Sequence, residues 1–295
     1  MRELPQTDVV FQVHPADPDG MSDLGFVNAD GKDHVRITDA MPLGMLPVWS
    51  PDGTQIAYRQ SNPLYVFNYY GQVALVGQGK SCRHLAGNGR VRWMPDGSAV
   101  LIAIADQKIL KEYRYRVVSI DPGECEVVDE FYTTLTTGSI GTPHLSPSGL
   151  LAMTKGTRID GSPPKTQYSI TVVDLDAQEE WTVGEGVVPS WSPDGEWLAY
   201  TGADGIYVVR ADGTERRRVL EYCACCQATP SGVTWNDWPP LPEWSPDGKW
   251  LVYHREEQGE YAIYKLSLET GEEVLIIEGG LNPDWRSGPA NTLQE

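Results

Sequence analysis

The chain has 295 residues, with 40% hydrophobic and 22% charged, the composition of a globular protein. Its 23 basic and 41 acidic residues give a net charge of −18, which argues against nucleic acid and anionic membrane as main partners. No apolar run is long enough to span a bilayer, so no integral membrane segment is expected, and no cationic start with an apolar core marks a secretory leader.

Taken in chain order, the first predicted elements are three short strands, Asp8–Val13, Leu24–Asn28 and Asp33–Ile37. A phrase then appears that recurs to the end. Trp49-Ser50-Pro51-Asp52-Gly53 returns at Trp93-Met94-Pro95-Asp96-Gly97, Trp191-Ser192-Pro193-Asp194-Gly195 and Trp244-Ser245-Pro246-Asp247-Gly248. A degraded copy is Leu145-Ser146-Pro147-Ser148-Gly149, and Pro283-Asp284-Trp285 keeps only the beginning. The key positions 49, 93, 145, 191, 244 and 285 are 44, 52, 46, 53 and 41 residues apart. Units of that length match four-stranded propeller blades. Each unit reads as a strand ending at the aromatic residue, a tight Pro-Asp-Gly turn, an apolar strand such as Trp197–Tyr200, and two further strands.

The sixth unit has only ten residues after Trp285, so its missing strands are expected at the N-terminus, within 8–38. The sequence therefore predicts an all-β fold: one domain over 1–295, a six-bladed β-propeller of four-stranded antiparallel blades, its ring closed by the N-terminal strands.

The Trp-Ser-Pro-Asp-Gly unit followed by an Ile/Leu-Ala-Tyr strand resembles the TolB-type propeller repeat over nearly the whole chain. The resemblance implies a binding propeller and a periplasmic or extracellular location. Within these residues no segment resembles the separate N-terminal domain that TolB itself carries, and none resembles a hydrolase domain, so a propeller alone is expected.

Loop lengths differ between the two faces of such a ring. Turns on the Pro-Asp-Gly face are short. The insertions His14–Asp23, Gly77–Arg90, Thr133–Thr142, Gly156–Thr166 and Glu221–Leu241 fall on the other face, which is expected to be the working face. Within the longest insertion, Trp235, Asp237 and Trp238 suit a partner hot spot or a carbohydrate platform. Cys223 and Cys226 suit a loop-tying disulfide better than a metal half-site, since no second Cys-x-x-Cys exists. Arg83, His84, Arg90 and Arg92 form a locally basic stretch able to grip a carboxylate or phosphate, or to pair with acidic loops.

Strand alternation points the residues before the key aromatics toward the channel, so Arg92, His144, Glu243 and Asp284 are expected as a mixed polar ring. A water-filled polar channel is the expectation, with a divalent metal or small polar ligand as the alternative. No Gly-x-Ser-x-Gly, His-Glu-x-x-His or phosphate-loop motif is present, so no catalytic residue and no cofactor are assigned. The leading function is a non-catalytic module binding a protein or peptide through the long-loop face. The alternatives are a polysaccharide lyase or hydrolase working over the channel, and a structural subunit of a larger assembly.

Overall fold

The computed structural model describes residues 5, 7–13, 23–37, 44–60, 71–75, 81–109, 112–121, 124, 126–136, 139–161, 165–222, 228–229, 232–233, 239–257 and 260–286. Among these every regular element is a β-strand, and no helix is long and apolar enough to cross a membrane. The strands in chain order are β1 (Val9–Val13), β2 (Asp23–Val27), β3 (Val35–Ile37), β4 (Gly44–Trp49), β5 (Ile56–Gln60), β6 (Gly71–Leu75) and β7 (Ser81–Trp93). Next come β8 (Val100–Ile109), β9 (Glu112–Asp121), β10 (Glu126–Thr136), β11 (Ser139–Leu145), β12 (Leu150–Ile159), β13 (Lys165–Asp174) and β14 (Glu179–Glu185). The remainder are β15 (Val187–Trp191), β16 (Trp197–Gly202), β17 (Gly205–Arg210), β18 (Arg217–Glu221), β19 (Ala228–Thr229), β20 (Gly232–Val233), β21 (Glu243–Trp244), β22 (Trp250–Glu257), β23 (Glu260–Ser267), β24 (Glu273–Glu278) and β25 (Gly280–Trp285).

Four sheets have four strands each, in the orders β25-β1-β2-β3, β11-β12-β13-β14, β15-β16-β17-β18 and β21-β22-β23-β24. A fifth runs β10-β9-β8-β7-β6-β5-β4, and β19-β20 is a small hairpin. The blade-sized sheets therefore number five, not the expected six. The cause is the 13-residue length of β7. Its first part pairs with β6 (Ala74↔Ser81, Gly71↔Gly87) and its later part with β8 (Gly87↔Ile104, Trp93↔Val100), so two repeat units share one hydrogen-bonded sheet. The expected loop Gly77–Arg90 is thus largely strand. The same holds for Thr133–Thr142, where β10 runs to Thr136 and β11 starts at Ser139, and for Gly156–Thr166, where a long β12–β13 hairpin continues to Ile159↔Lys165.

Each repeat turn is held by its own side chains. Ser50, Ser192 and Ser245 Oγ donate to Asp52, Asp194 and Asp247 at 2.5 Å and accept the N–H five residues on. The glycines at 53, 97, 149, 195 and 248 have φ between 66° and 87°, which L side chains avoid. In the degraded copy Ser146 Oγ accepts from Leu150 N, four residues on, so that turn is one residue shorter.

The core lies between units. Each key residue packs in the apolar cluster shared with the unit before it. Trp93 joins Val48 and Ala57, Leu145 joins Leu101 and Val117, and Trp191 joins Ala152 and Val172. Trp49 packs with Val10, Leu24 and Phe26 of the N-terminal strands, whose other face packs on Val252 and Ile263. Indoles of this size contribute both area and a polar tip. Trp93, Trp191 and Trp244 Nε1 donate to the carbonyls of Val48, His144 and Ser190, each the residue before the key position of the preceding unit.

Candidate functional site at the ring centre

The innermost strands carry a repeated irregularity that builds the site. The pairing register shifts between Met45 and Val48, Asn88 and Arg92, Gly141 and His144, and Val187 and Ser190. It shifts again in β25, where Val10 pairs Asp284 and Gln12 pairs Leu281. Leu46, Thr142, Val188 and Asn282, each three residues before a key position, have φ of 57°, 47°, 56° and 51°. Such values are outliers for β-branched residues and mark a bulge in each strand. Pro47, Pro143, Pro189, Pro242 and Pro283 follow this position. A bulge is where a strand tolerates a residue with no N–H. The bulge aims the next side chain at the ring centre.

A cavity of about 310 Å³ results. Val48, Arg92, His144, Ser190, Glu243 and Asp284 form its inner layer, the key aromatics its wall, and Pro51, Pro95, Pro147, Pro193 and Pro246 its mouth. It opens on the short-turn face, opposite the face expected to carry function. All four residues of the predicted polar ring are brought together there.

They do not stand free. Glu243 Oε1 is 2.7 Å from Arg90 Nη1 and 2.6 Å from Arg92 Nη2, and its Oε2 accepts from Ser190 Oγ at 2.7 Å. Asp284 Oδ2 accepts the Trp49 N–H at 2.7 Å, while Oδ1 lies 3.3 Å from Arg90 Nη2 and 3.8 Å from Arg92 Nη1. Arg90 also donates to the carbonyls of Pro47 and Pro283, at 2.5 and 3.0 Å. Its side chain is fully buried. Sequence reasoning placed Arg90 in a surface loop. It occupies the bulge position three before Trp93, and that offset was the signal that locates it.

Burial lowers Arg90 from its ordinary value, and it raises Asp284 to about 6 despite the two guanidiniums beside it. His144 lies deep within the ring although its edge reaches the cavity. Burial, then the charges of Arg92 and Arg90, hold its imidazole well below the ordinary value. His144 Nδ1 accepts the Trp191 N–H at 3.0 Å, which leaves the ring proton on Nε2.

For Arg83 and His84 only the backbone, in β7, is described. Trp235, Asp237, Trp238, Cys223 and Cys226 lie outside the described residues. Among the described residues, no group of three or more His, Cys, Asp or Glu is placed to hold a metal ion.

Sheets of this form, packed through aromatic residues around a polar centre, define a β-propeller built from Trp-Ser-Pro-Asp-Gly units. No family model matches the chain. Over 170 residues, 54% of this chain, it is 30% identical to the Tol-Pal system protein TolB of Alcanivorax borkumensis, a match spanning 34% of that protein. TolB from Acinetobacter baumannii superimposes with a TM-score of 0.68 at 15% identity, covering 95% of this chain and 66% of that one. A putative TolB from Agrobacterium tumefaciens gives 0.56 at 16% identity, covering 94% and 92%. The chain has the β-propeller fold and is similar to TolB over about half of its length, spanning about a third of that relative.

Proposed function

We propose that the chain is a non-catalytic module that binds a protein or peptide. The observation that carries this reading is the closed charge set at the ring centre. Arg90, Arg92, Glu243 and Asp284 balance in charge, two positive against two negative, and each carboxylate also holds a fixed donor. A lyase or hydrolase needs an acid or base free to meet substrate, and these four are committed to each other. The seven-stranded sheet is read as two blades fused along β7, which makes six in all. The relative in Alcanivorax borkumensis is named as a Tol-Pal system protein, and a component of such a system is the partner class we assign. Contact is placed on the long-loop face, with Trp235 and Trp238 as anchors and Asp237 between them, in a periplasmic or extracellular setting.

The test is calorimetric titration with purified Tol-Pal components of the source organism. Saturable binding is expected, weakened by a hundredfold or more in Trp235→Ala/Trp238→Ala, since anchor residues each carry about 2 kcal/mol or more. Unchanged affinity in that double variant would sink the assigned face. No binding to any component would sink the partner class, and turnover of an oligosaccharide would sink the non-catalytic reading.

A further inference from the structure

The cavity opens on the short-turn face, and two hydrogen-bond donors at it have spare capacity. Glu243 accepts hydrogen bonds from Arg90 and Ser190 and lies against Arg92, while Asp284 accepts a backbone N–H and has Arg90 3.3 Å from its other oxygen. Arg92 Nη1 is 3.8 Å from its nearest carboxylate oxygen, beyond hydrogen-bonding distance, and Arg92 Nε is buried without a partner among the described residues. His144 Nε2 carries a proton and has no partner among the described residues.

Both donors line the cavity and come from adjacent repeat units. Arg92 and His144 come from the second and third units, whereas the two carboxylates come from the fifth and sixth. Above the donors the wall is indole and proline. The volume, about 310 Å³, is at the lower end of small-ligand sites, which run from roughly 300 to 1,000 Å³.

We propose that this funnel binds the carboxylate group of a small monoanion, held by Arg92 Nη1 and His144 Nε2, with its apolar body against the indole and proline wall. The exposed turn carboxylates Asp52, Asp96, Asp194 and Asp247 surround the mouth. They disfavour polyanions, but their reach is cut by salt to about 8 Å under physiological conditions, which one well-held carboxylate tolerates. The carboxylate belongs either to a free organic acid or to a peptide C-terminus, and the two share this chemistry.

Calorimetry with phenylacetate, phenylacetamide, the tripeptide Gly-Gly-Phe and its C-terminal amide separates the cases. Each acid is expected to bind at least tenfold more tightly than its amide. Of the acids, the better binder identifies the source. His144→Asn keeps an acceptor for the Trp191 N–H and deletes Nε2. It is expected to lower acid affinity tenfold or more, leave the amides unaffected and keep the melting temperature near that of the parent. Equal binding of acid and amide, no saturable binding of either acid in the millimolar range, or acid affinity unchanged in a folded His144→Asn would each overturn the proposal.

Discussion

Arg90 Nη1 and Glu243 Oε1 meet at 2.7 Å across 153 residues of sequence, with the arginine side chain sealed from solvent. Arg90 starts from the second repeat unit. Through Pro47, Glu243, Pro283 and Asp284 it reaches the first, fifth and sixth units. A single guanidinium therefore ties four units at the ring centre, using the planar fork of donors that lysine lacks. Removing one member of a buried ion pair strands the other, at a cost of about 3–5 kcal/mol. Arg90→Met is expected to lose that much by urea denaturation. Arg90→Met with Glu243→Gln should recover part of it, because one charge of each sign is then removed and the centre stays balanced between Arg92 and Asp284. Additive losses in the double variant would mean that the two residues do not act as a unit.

The ring centre also sets an acid–base balance with two opposed parts. Asp284 is raised to about 6 from 3.8. Its contribution is therefore fully present below the unfolded value and is lost as pH rises through about 6. The scale is at most roughly 3 kcal/mol. His144 is depressed below 6.5, so its contribution is present above 6.5 and is lost as pH falls toward its folded value. Between pH 4 and 6.5 the two slopes have opposite sign. Melting temperatures across this range should fall more steeply on acidification in Asp284→Asn than in the parent. They should fall less steeply in His144→Asn. Parallel curves for all three proteins would show that neither group titrates differently on folding.

The repeat made most of the architecture legible. The spacing of Trp49, Trp93, Leu145, Trp191, Trp244 and Trp285 located every innermost strand, and the residues before them are the ones that line the cavity. Two things escaped. Loop composition such as Gly87-Asn88-Gly89 reads as a turn, yet these residues lie in β7 because pairing on both sides outweighs local preference. The second was the bulge. Simple alternation does not foresee left-handed Leu46, Thr142 and Val188, so Arg90 was assigned to the surface. Pro at 47, 143, 189, 242 and 283, two before each key residue, was the visible clue. Which partner the long-loop face meets is not written in a scaffold repeat.

The Trp-Ser-Pro-Asp-Gly phrase has its own local chemistry, testable at the copy that begins at Trp191. Ser192 is buried, donates to Asp194 at 2.5 Å and accepts the Trp197 N–H at 2.9 Å. Ser192→Ala strips a partner from each, and the Trp197 amide starts the next strand. The expected loss is about 1–3 kcal/mol, the cost of leaving a buried donor unmade. Chemical denaturation checks it, and Asp194→Ala on top should add less than it costs alone, because the hydroxyl that it served is already gone.

The indole N–H groups separate packing from hydrogen bonding. Trp191 Nε1 donates to the His144 carbonyl at 2.9 Å, while Trp49 Nε1 is buried without a partner among the described residues. Phenylalanine at either site removes the same atoms and leaves a similar shortfall in volume. At Trp191 it also orphans a carbonyl, worth about 1 kcal/mol or more. At Trp49 it removes a donor that has no acceptor, which offsets part of the packing loss, although the stacking of Arg286, 5.0 Å from the ring centroid, also weakens. Trp191→Phe is therefore expected to be the more destabilised by about 1–2 kcal/mol in paired urea titrations. The reverse order would mean that the Arg286 contact, and not the handed-on N–H bond, dominates the aromatic seams.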